Sequence, residues 1–342
     1  MSYIIKVKTE NCSNIKTLFE VLKGIIPDCT LEFISNGSSD DKKDDYLSDI
    51  KREKKEKKEK KHKTKIVKHK KTDKSKSSIE SKQKGGIRIY EIGGNETVIV
   101  TIFLDADQFA EFYVKYPVHE VGINLTQLYN YIGTIKDTGN ILTISINEDS
   151  YDKIAFTTEN KSKKSSTKYE QSTLNRNSTG SSKSIKPKFD IVVSMNTAEF
   201  HAICKDCRKF STLMEILCTP KHISFRCTDI SCSYSKTFGN STSDDDTIGV
   251  SIKVPDTDKS NRKDLIVEGV FDLDQLTLFS KCTALCKNIE LFLANNYPLF
   301  IHYSVASLGK MIVGISPVDP NMIKTYEKKL ENGELIDNDT IY

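Results

Sequence analysis

Asn124–Ile146, NLTQLYNYIGTIKDTGNILTISI, and Asp272–Ala294, DLDQLTLFSKCTALCKNIELFLA, are two copies of one pattern. Leu125, Gln127, Leu128, Asn140 and Ile141 recur as Leu273, Gln275, Leu276, Asn288 and Ile289, each pair 148 positions apart without a gap. That period far exceeds the roughly 20–50 residues of solenoid repeats, so the chain reads as a duplicated domain. Each copy opens on apolar residues at helical spacing and closes on an alternating run, a helix followed by a strand.

An earlier amphipathic helix precedes each copy. Ser13–Ile26 sets Ile15, Leu18, Phe19, Leu22, Ile25 and Ile26 on one face, and Thr197–Phe210 does the same with Phe200, Ile203, Cys204, Cys207 and Phe210. The other apolar segments are short β-rich blocks such as ETVIVTIFL, PLFIHYSV and KMIVGISPV, bounded by Gly, Asn, Asp or Pro. The fold class is therefore α+β: two similar domains, each with antiparallel sheets and two helices. The expected layout is a first domain over 1–159, a linker over 160–188 rich in Ser, Thr, Asn and Lys, a second domain over 189–320, and a tail over 321–342.

Charge is unevenly distributed. Residues 36–85 hold 19 Lys+Arg against 10 Asp+Glu, which leaves the remainder with 32 basic and 37 acidic residues. That tract lacks the apolar content needed to offset chain entropy and is expected to be a disordered insertion in a hairpin turn, which closure entropy tolerates. It reads first as a solvated insertion, as charge runs usually do, with a nuclear localisation signal or an electrostatic DNA contact as the alternatives. A slightly acidic body excludes coating of DNA by bulk charge, so any basic DNA surface must be local.

Nine scattered cysteines suggest free thiols in a reducing compartment. Cys204-x-x-Cys207 with Cys282-x-x-x-Cys286 is the nearest approach to a metal motif, but Cys204 and Cys207 lie on an apolar stripe, so no metal and no cofactor are expected. The opening MSYIIKVKTE reads as a strand, not a secretory signal, and no apolar stretch is long enough to span a bilayer, so an intracellular protein without membrane contact is expected. No Gly-rich phosphate loop, His-Glu-x-x-His, nucleophile elbow or convincing carboxylate pair is present, which argues against an enzyme and leaves no catalytic residue to name.

The segment Phe271–Pro320, FDLDQLTLFSKCTALCKNIELFLANNYPLFIHYSVASLGKMIVGISPVDP, resembles the C-terminal part of the proliferating cell nuclear antigen (PCNA) family of DNA sliding clamps. Val121–Asn140, VGINLTQLYNYIGTIKDTGN, is similar to the second helix of the first clamp domain, and Asn196–Cys207, NTAEFHAICKDC, resembles the first helix of the second. The long insertion is similar to that of clamps of giant DNA viruses. The resemblance implies the DNA clamp fold and a homotrimer closing into a pseudo-sixfold ring, with helices lining the hole. Such a ring is a DNA polymerase processivity factor in replication and repair, held on duplex DNA by topology. Its implied partners are duplex DNA bound without sequence preference, a polymerase and other clients that carry a short hydrophobic peptide, a clamp loader ATPase, and other copies of itself. The implied location is the nucleus, or a cytoplasmic viral replication site.

Site residues follow from the same resemblance. Lys16, Lys23, Lys136, His201, Lys205, Arg208, Lys209 and Lys281 are the candidates for facing DNA; without the resemblance they would be ordinary solvated helix faces. The second helix departs from the family, with Asn130 and Gly133 where lysines are usual. The client-peptide pocket is expected from Ile92, Thr97, Val98, Tyr169, Leu174, Pro298, Ile315, Ser316 and Pro317, with Val313 and Gly314 standing where an aromatic is often found. Subunits of such rings join through edge strands, expected here at Lys153–Thr158 (Lys153, Ile154, Phe156) and Ser231–Phe238 (Ser231, Cys232, Tyr234). The competing possibilities are a monomeric polymerase accessory factor and a subunit of a heterotrimeric checkpoint-type ring.

Overall fold

The computed structural model describes residues 2–36, 84–93, 96–135, 139–176, 188–241, 249–255 and 264–331. The lysine-rich tract, Lys136 and the end of the tail lie outside the described residues. Eighteen strands and five α-helices are described. The helices are α1 (Cys12–Lys23), α2 (Leu125–Ile132), α3 (Thr197–Cys207), α4 (Leu273–Thr277) and α5 (Pro320–Glu331), with a 3-10 turn at Ser280–Ala284 extending α4.

Local chemistry fixes the helix starts. Asn124 Oδ1 accepts from Gln127 N at 2.8 Å, and Asp272 Oδ1 accepts from Asp274 N at 2.7 Å, so the 148-residue repeat extends to the capping position. Asn196 Oδ1 accepts from both Ala198 N and Glu199 N to start α3. On α1 the buried set Ile15, Leu18, Phe19 and Leu22 follows the predicted stripe. On α3, Phe200, Ile203, Cys204 and Cys207 are buried, whereas Phe210 lies past the helix end and is partly exposed.

All strand pairs within the sheets are antiparallel, and they form three sheets. The first, of β1 (Tyr3–Thr9), β5 (Glu111–Val114), β7 (Asn140–Asn147), β8 (Ser150–Asn160) and β9 (Ser165–Ser172), runs in the order β5-β1-β7-β8-β9. A nine-stranded sheet takes β2 (Asp28–Ile34), β3 (Gly86–Gly93), β4 (Val98–Asp105) and β6 (Val118–Asn124) from the first half of the chain. To these it adds β10 (Ile191–Asn196), β14 (Ser251–Lys253), β16 (Asn288–Leu293), β17 (Leu299–Val305) and β18 (Gly309–Ile315), in the order β14-β10-β16-β17-β18-β4-β3-β2-β6. The third sheet is β13-β12-β11-β15, from β11 (Leu213–Cys218), β12 (His222–Thr228), β13 (Ser233–Gly239) and β15 (Val267–Asp272).

The duplication governs this topology. The order β5-β1-β7-β8-β9 reappears as β14-β10-β16-β17-β18, and β4-β3-β2-β6 reappears as β13-β12-β11-β15. The halves are not separate sheets, as the sequence suggested: β18 pairs with β4 through seven register partners, from Gly309↔Leu104 to Ile315↔Val98. A further correction concerns the stretch expected to be linker, where Ser165–Ser172 forms strand β9 on β8. The start of the stretch read as a tail over 321–342 forms α5, from Pro320 to Glu331.

The four inner helices make a single row. α1 packs against α2 and against the Ser280–Ala284 turn, and α3 packs against that same turn and α4. Their apolar faces join the strands in one core that includes Leu18, Leu22, Leu128, Phe200, Leu276 and Phe279. Burial of side chains of this size contributes about 1.5–3 kcal/mol each, which makes this seam the main source of cohesion between helices and sheets.

Candidate functional site

The outward face of the helix row carries the predicted cations, and most of them are engaged. Segments 12–23, 197–209 and 273–284 hold six Lys or Arg against four Asp or Glu, and α2 holds no charged residue. Lys16 Nζ donates to Ile135 O at 3.1 Å. Lys23 Nζ sits 4.0 Å from the centre of the Tyr129 ring, a cation–π contact. Lys281 forms an ion pair with Glu20 across the boundary between the two halves, and that bond holds the Glu20 carboxyl below its usual range. Arg208 Nε pairs with Asp274 at 2.5 Å, and Lys209 pairs with Asp206 at 2.7 Å. Lys205 is exposed and has no ion pair among the described residues.

His201 does not belong on this face. Its side chain is buried against Tyr303, ring centroids 6.0 Å apart, and burial lowers its pKa to about 4. The helical spacing that grouped it with Lys205 and Arg208 was correct for the helix but misjudged the width of the apolar stripe.

The partner-strand candidates divide. β13 is a terminal strand of its sheet, with Tyr234 on it stacked on Phe210 at 5.7 Å, and Ser231 and Cys232 lie exposed in the turn before it. Lys153, Ile154 and Phe156 are on β8, which is not an edge: β7 flanks it on one side and β9 on the other, and Ile154 and Phe156 are fully buried. The edge of that sheet next to β8 is β9, whose polar sequence SSTKYEQS gave no apolar alternation to reveal it.

Around the β4–β18 joint lie most of the pocket candidates. Ser316 N donates to Thr97 O at 2.9 Å, and Gln275 Nε2 on α4 donates to Thr97 Oγ1 at 2.7 Å. Val98 and Ile315 are register partners and fully buried, so they form the floor beneath any groove. Ile92 is exposed at the end of β3, and Pro298, Ser316 and Pro317 are half-buried. Leu174 sits elsewhere, bonded through its N–H to Gly122 O on β6. Tyr169 is removed from the joint altogether: it lies on β9, stacked on Tyr131 at 5.3 Å.

Residues 185–318 match the family model "Proliferating cell nuclear antigen, C-terminal domain". Over this stretch the chain is similar to PCNA. It is 27% identical over 322 residues, 92% of its length, to a "Probable DNA polymerase sliding clamp" of Acanthamoeba polyphaga mimivirus, and spans 62% of that relative. It is 25% identical over 233 residues to "Probable DNA polymerase sliding clamp 1" of Paramecium bursaria Chlorella virus 1, covering 68% of this chain and 84% of that one. Against "Proliferating cell nuclear antigen" of Caenorhabditis elegans it is 28% identical over 130 residues, 38% of this chain and 46% of the relative.

One departure from the PCNA pattern has a structural explanation. Gly314, which with Val313 stands where the family often has an aromatic, pairs across the sheet with Phe300, and a β-carbon on Gly314 would meet Phe300 Cε1 at 3.0 Å. The ring is supplied from the neighbouring strand. Phe300 also packs on Phe189 at 5.5 Å and on Tyr297 at 6.2 Å, which enlarges the aromatic surface beside Pro298.

Proposed function

We propose that this chain is a DNA sliding clamp, a non-catalytic processivity factor that closes into a homotrimeric ring around duplex DNA. One observation carries the reading. Within the chain, β18 of the second half pairs with β4 of the first; their repeat equivalents, β9 and β13, are left as free sheet edges. A second copy that lays its β13 on β9 repeats the internal joint. Contacts of this head-to-tail kind close into a ring when the rotation per joint divides a full turn. Three chains then supply six equivalent units, and pairing removes two exposed edges that would otherwise template aggregation.

The helix row suits the hole of such a ring. Its cations are mostly held by carboxylates, a carbonyl or a ring, so attraction to phosphates is weak and screened, as sliding requires. Polymerase and other clients are assigned to the aromatic and proline-lined surface near Pro298, Phe300 and Ser316–Pro317, where a short hydrophobic peptide can dock. Placement onto closed DNA is assigned to a clamp loader ATPase, and the site of action to the nucleus or a viral replication site.

Size-exclusion chromatography with light scattering tests the assembly, with an expected mass of three times 38.7 kDa. Retention after loading should hold on circular DNA and vanish once the circle is cut. A stable monomer that binds linear and circular duplex equally would replace this reading with an accessory factor, and trimers formed only with unlike chains would indicate a heterotrimeric ring.

A further inference from the structure

We infer that the β8–β9 turn, together with the cleft between it and the end of α2, is a second contact for the phosphate backbone of duplex DNA. The inference rests on the reading of the helix row as a DNA face, and it supplies charge where α2 has none.

Lys161, Lys163 and Lys164 fall within four residues of this turn, all exposed and without an ion pair among the described residues. By contrast Lys168, on the adjoining strand, is held by Glu170 at 2.6 Å. The turn is fixed rather than loose. Asn160 Oδ1 accepts from Ser162 Oγ at 2.7 Å and from Lys163 N at 2.9 Å, Asn160 Nδ2 donates to Asn140 Oδ1, and Lys164 takes the left-handed conformation, φ 48°, that reverses the chain. Three ammonium groups are thus presented together from an anchored hairpin.

Lys163 also lines a cleft of about 170 Å³ whose other walls are Ile135, two amides and five hydroxyl side chains, among them Tyr131, Thr158 and Thr167. No carboxylate lines it, which favours an anion over a metal ion. Hydroxyls, amides and an ammonium are the groups that bind phosphate oxygens in protein–DNA contacts. The Tyr131 hydroxyl is fixed by Thr158 Oγ1 and Thr167 O, both at 2.9 Å. Carbonyls at the C-terminal end of α2 oppose an anion here, but Lys16 brings an ammonium to that end by donating to Ile135 O just beyond the helix. Through that bond the cleft adjoins the helix row, so one duplex backbone can follow both.

The test measures binding of the full chain to a short blunt duplex by fluorescence anisotropy across a salt series. K161S/K163S/K164S should lower the slope of log affinity against log salt by about 2 to 3, since each phosphate neutralised contributes about 0.9. K168S should leave the slope within 0.5 of the parent. Equal slopes for the parent and the triple variant, with matching thermal melting, overturn the inference; a lowered slope that a triple arginine variant restores supports it. Retention on circular against cut DNA, measured on the same proteins, reads the clamp proposal separately: retention with an unchanged slope removes only the hairpin contact, and a lowered slope without retention removes only encirclement.

Discussion

His201 Nε2 and the Tyr303 hydroxyl lie 3.2 Å apart inside the core, 102 positions apart in sequence. Burial holds the imidazole neutral, with a pKa of about 4, and its Nδ1 has no partner among the described residues. The unfolded chain titrates near 6.5, so stability from the neutral ring is complete above that pH and is lost as pH falls toward 4. The shift corresponds to something on the order of 3 kcal/mol. Urea unfolding at pH 7, 5.5 and 4.5 should show this decline, and H201F/Y303F should flatten it. A residual slope will remain from His302, also held at about 4 by burial. The single change H201F strands the buried Tyr303 hydroxyl and should cost about 1–3 kcal/mol at pH 7.

The Lys281–Glu20 pair attenuates the proposed DNA face, so its removal should strengthen binding. Glu20→Gln frees one ammonium on the helix row and is expected to raise affinity for duplex DNA several-fold at low salt, the gain fading as salt screens it. Stability should change by less than about 1 kcal/mol, because Lys281 is largely exposed. Anisotropy titrations at two salt concentrations and a thermal melt check both.

Glu91 is a buried carboxylate that accepts from Thr30 N at 2.7 Å and from Arg176 at 3.3 Å. Burial raises its pKa in spite of these partners. Arg176→Met leaves the charge with one donor and should cost about 2 kcal/mol, whereas E91Q/R176M should recover most of the loss because a neutral amide still accepts from Thr30. Chemical denaturation of the two single variants and the double variant closes the cycle; strictly additive losses would show that the pair is not coupled.

Gly314 and Phe300 compete for one volume. Gly314→Tyr alone should destabilise by about 1–3 kcal/mol through overpacking, and F300V/G314Y should be tolerated because the ring then comes from the other strand. On the clamp reading, the double variant should also change which hydrophobic peptides bind, measurable by calorimetry with a small peptide panel.

The duplication was legible because its apolar and capping positions recur in register, and the inner helices followed from stripes such as Ile15, Leu18 and Leu22. Strand β9 was not legible: at a sheet edge only Tyr169 and Gln171 turn inward, so SSTKYEQS carries a linker's composition. Mistaking it moved the expected edge one strand inward, to β8. His201 was misassigned because a polar residue on a helix face can be satisfied by a partner a hundred residues away, and periodicity does not register a tyrosine hydroxyl. The exchange of an aromatic between Gly314 and Phe300 was invisible for the same reason, since it depends on which strands are neighbours.

The seven-pair seam between β4 and β18 has a mechanical consequence. Backbone hydrogen bonds weld the two lobes into one continuous sheet, so they cannot swing apart like jaws on a pin. On the proposed ring, a gap that admits a closed template would open where separate chains abut, and an ATP-driven machine that prises such an assembly apart would break that edge while each chain travels intact.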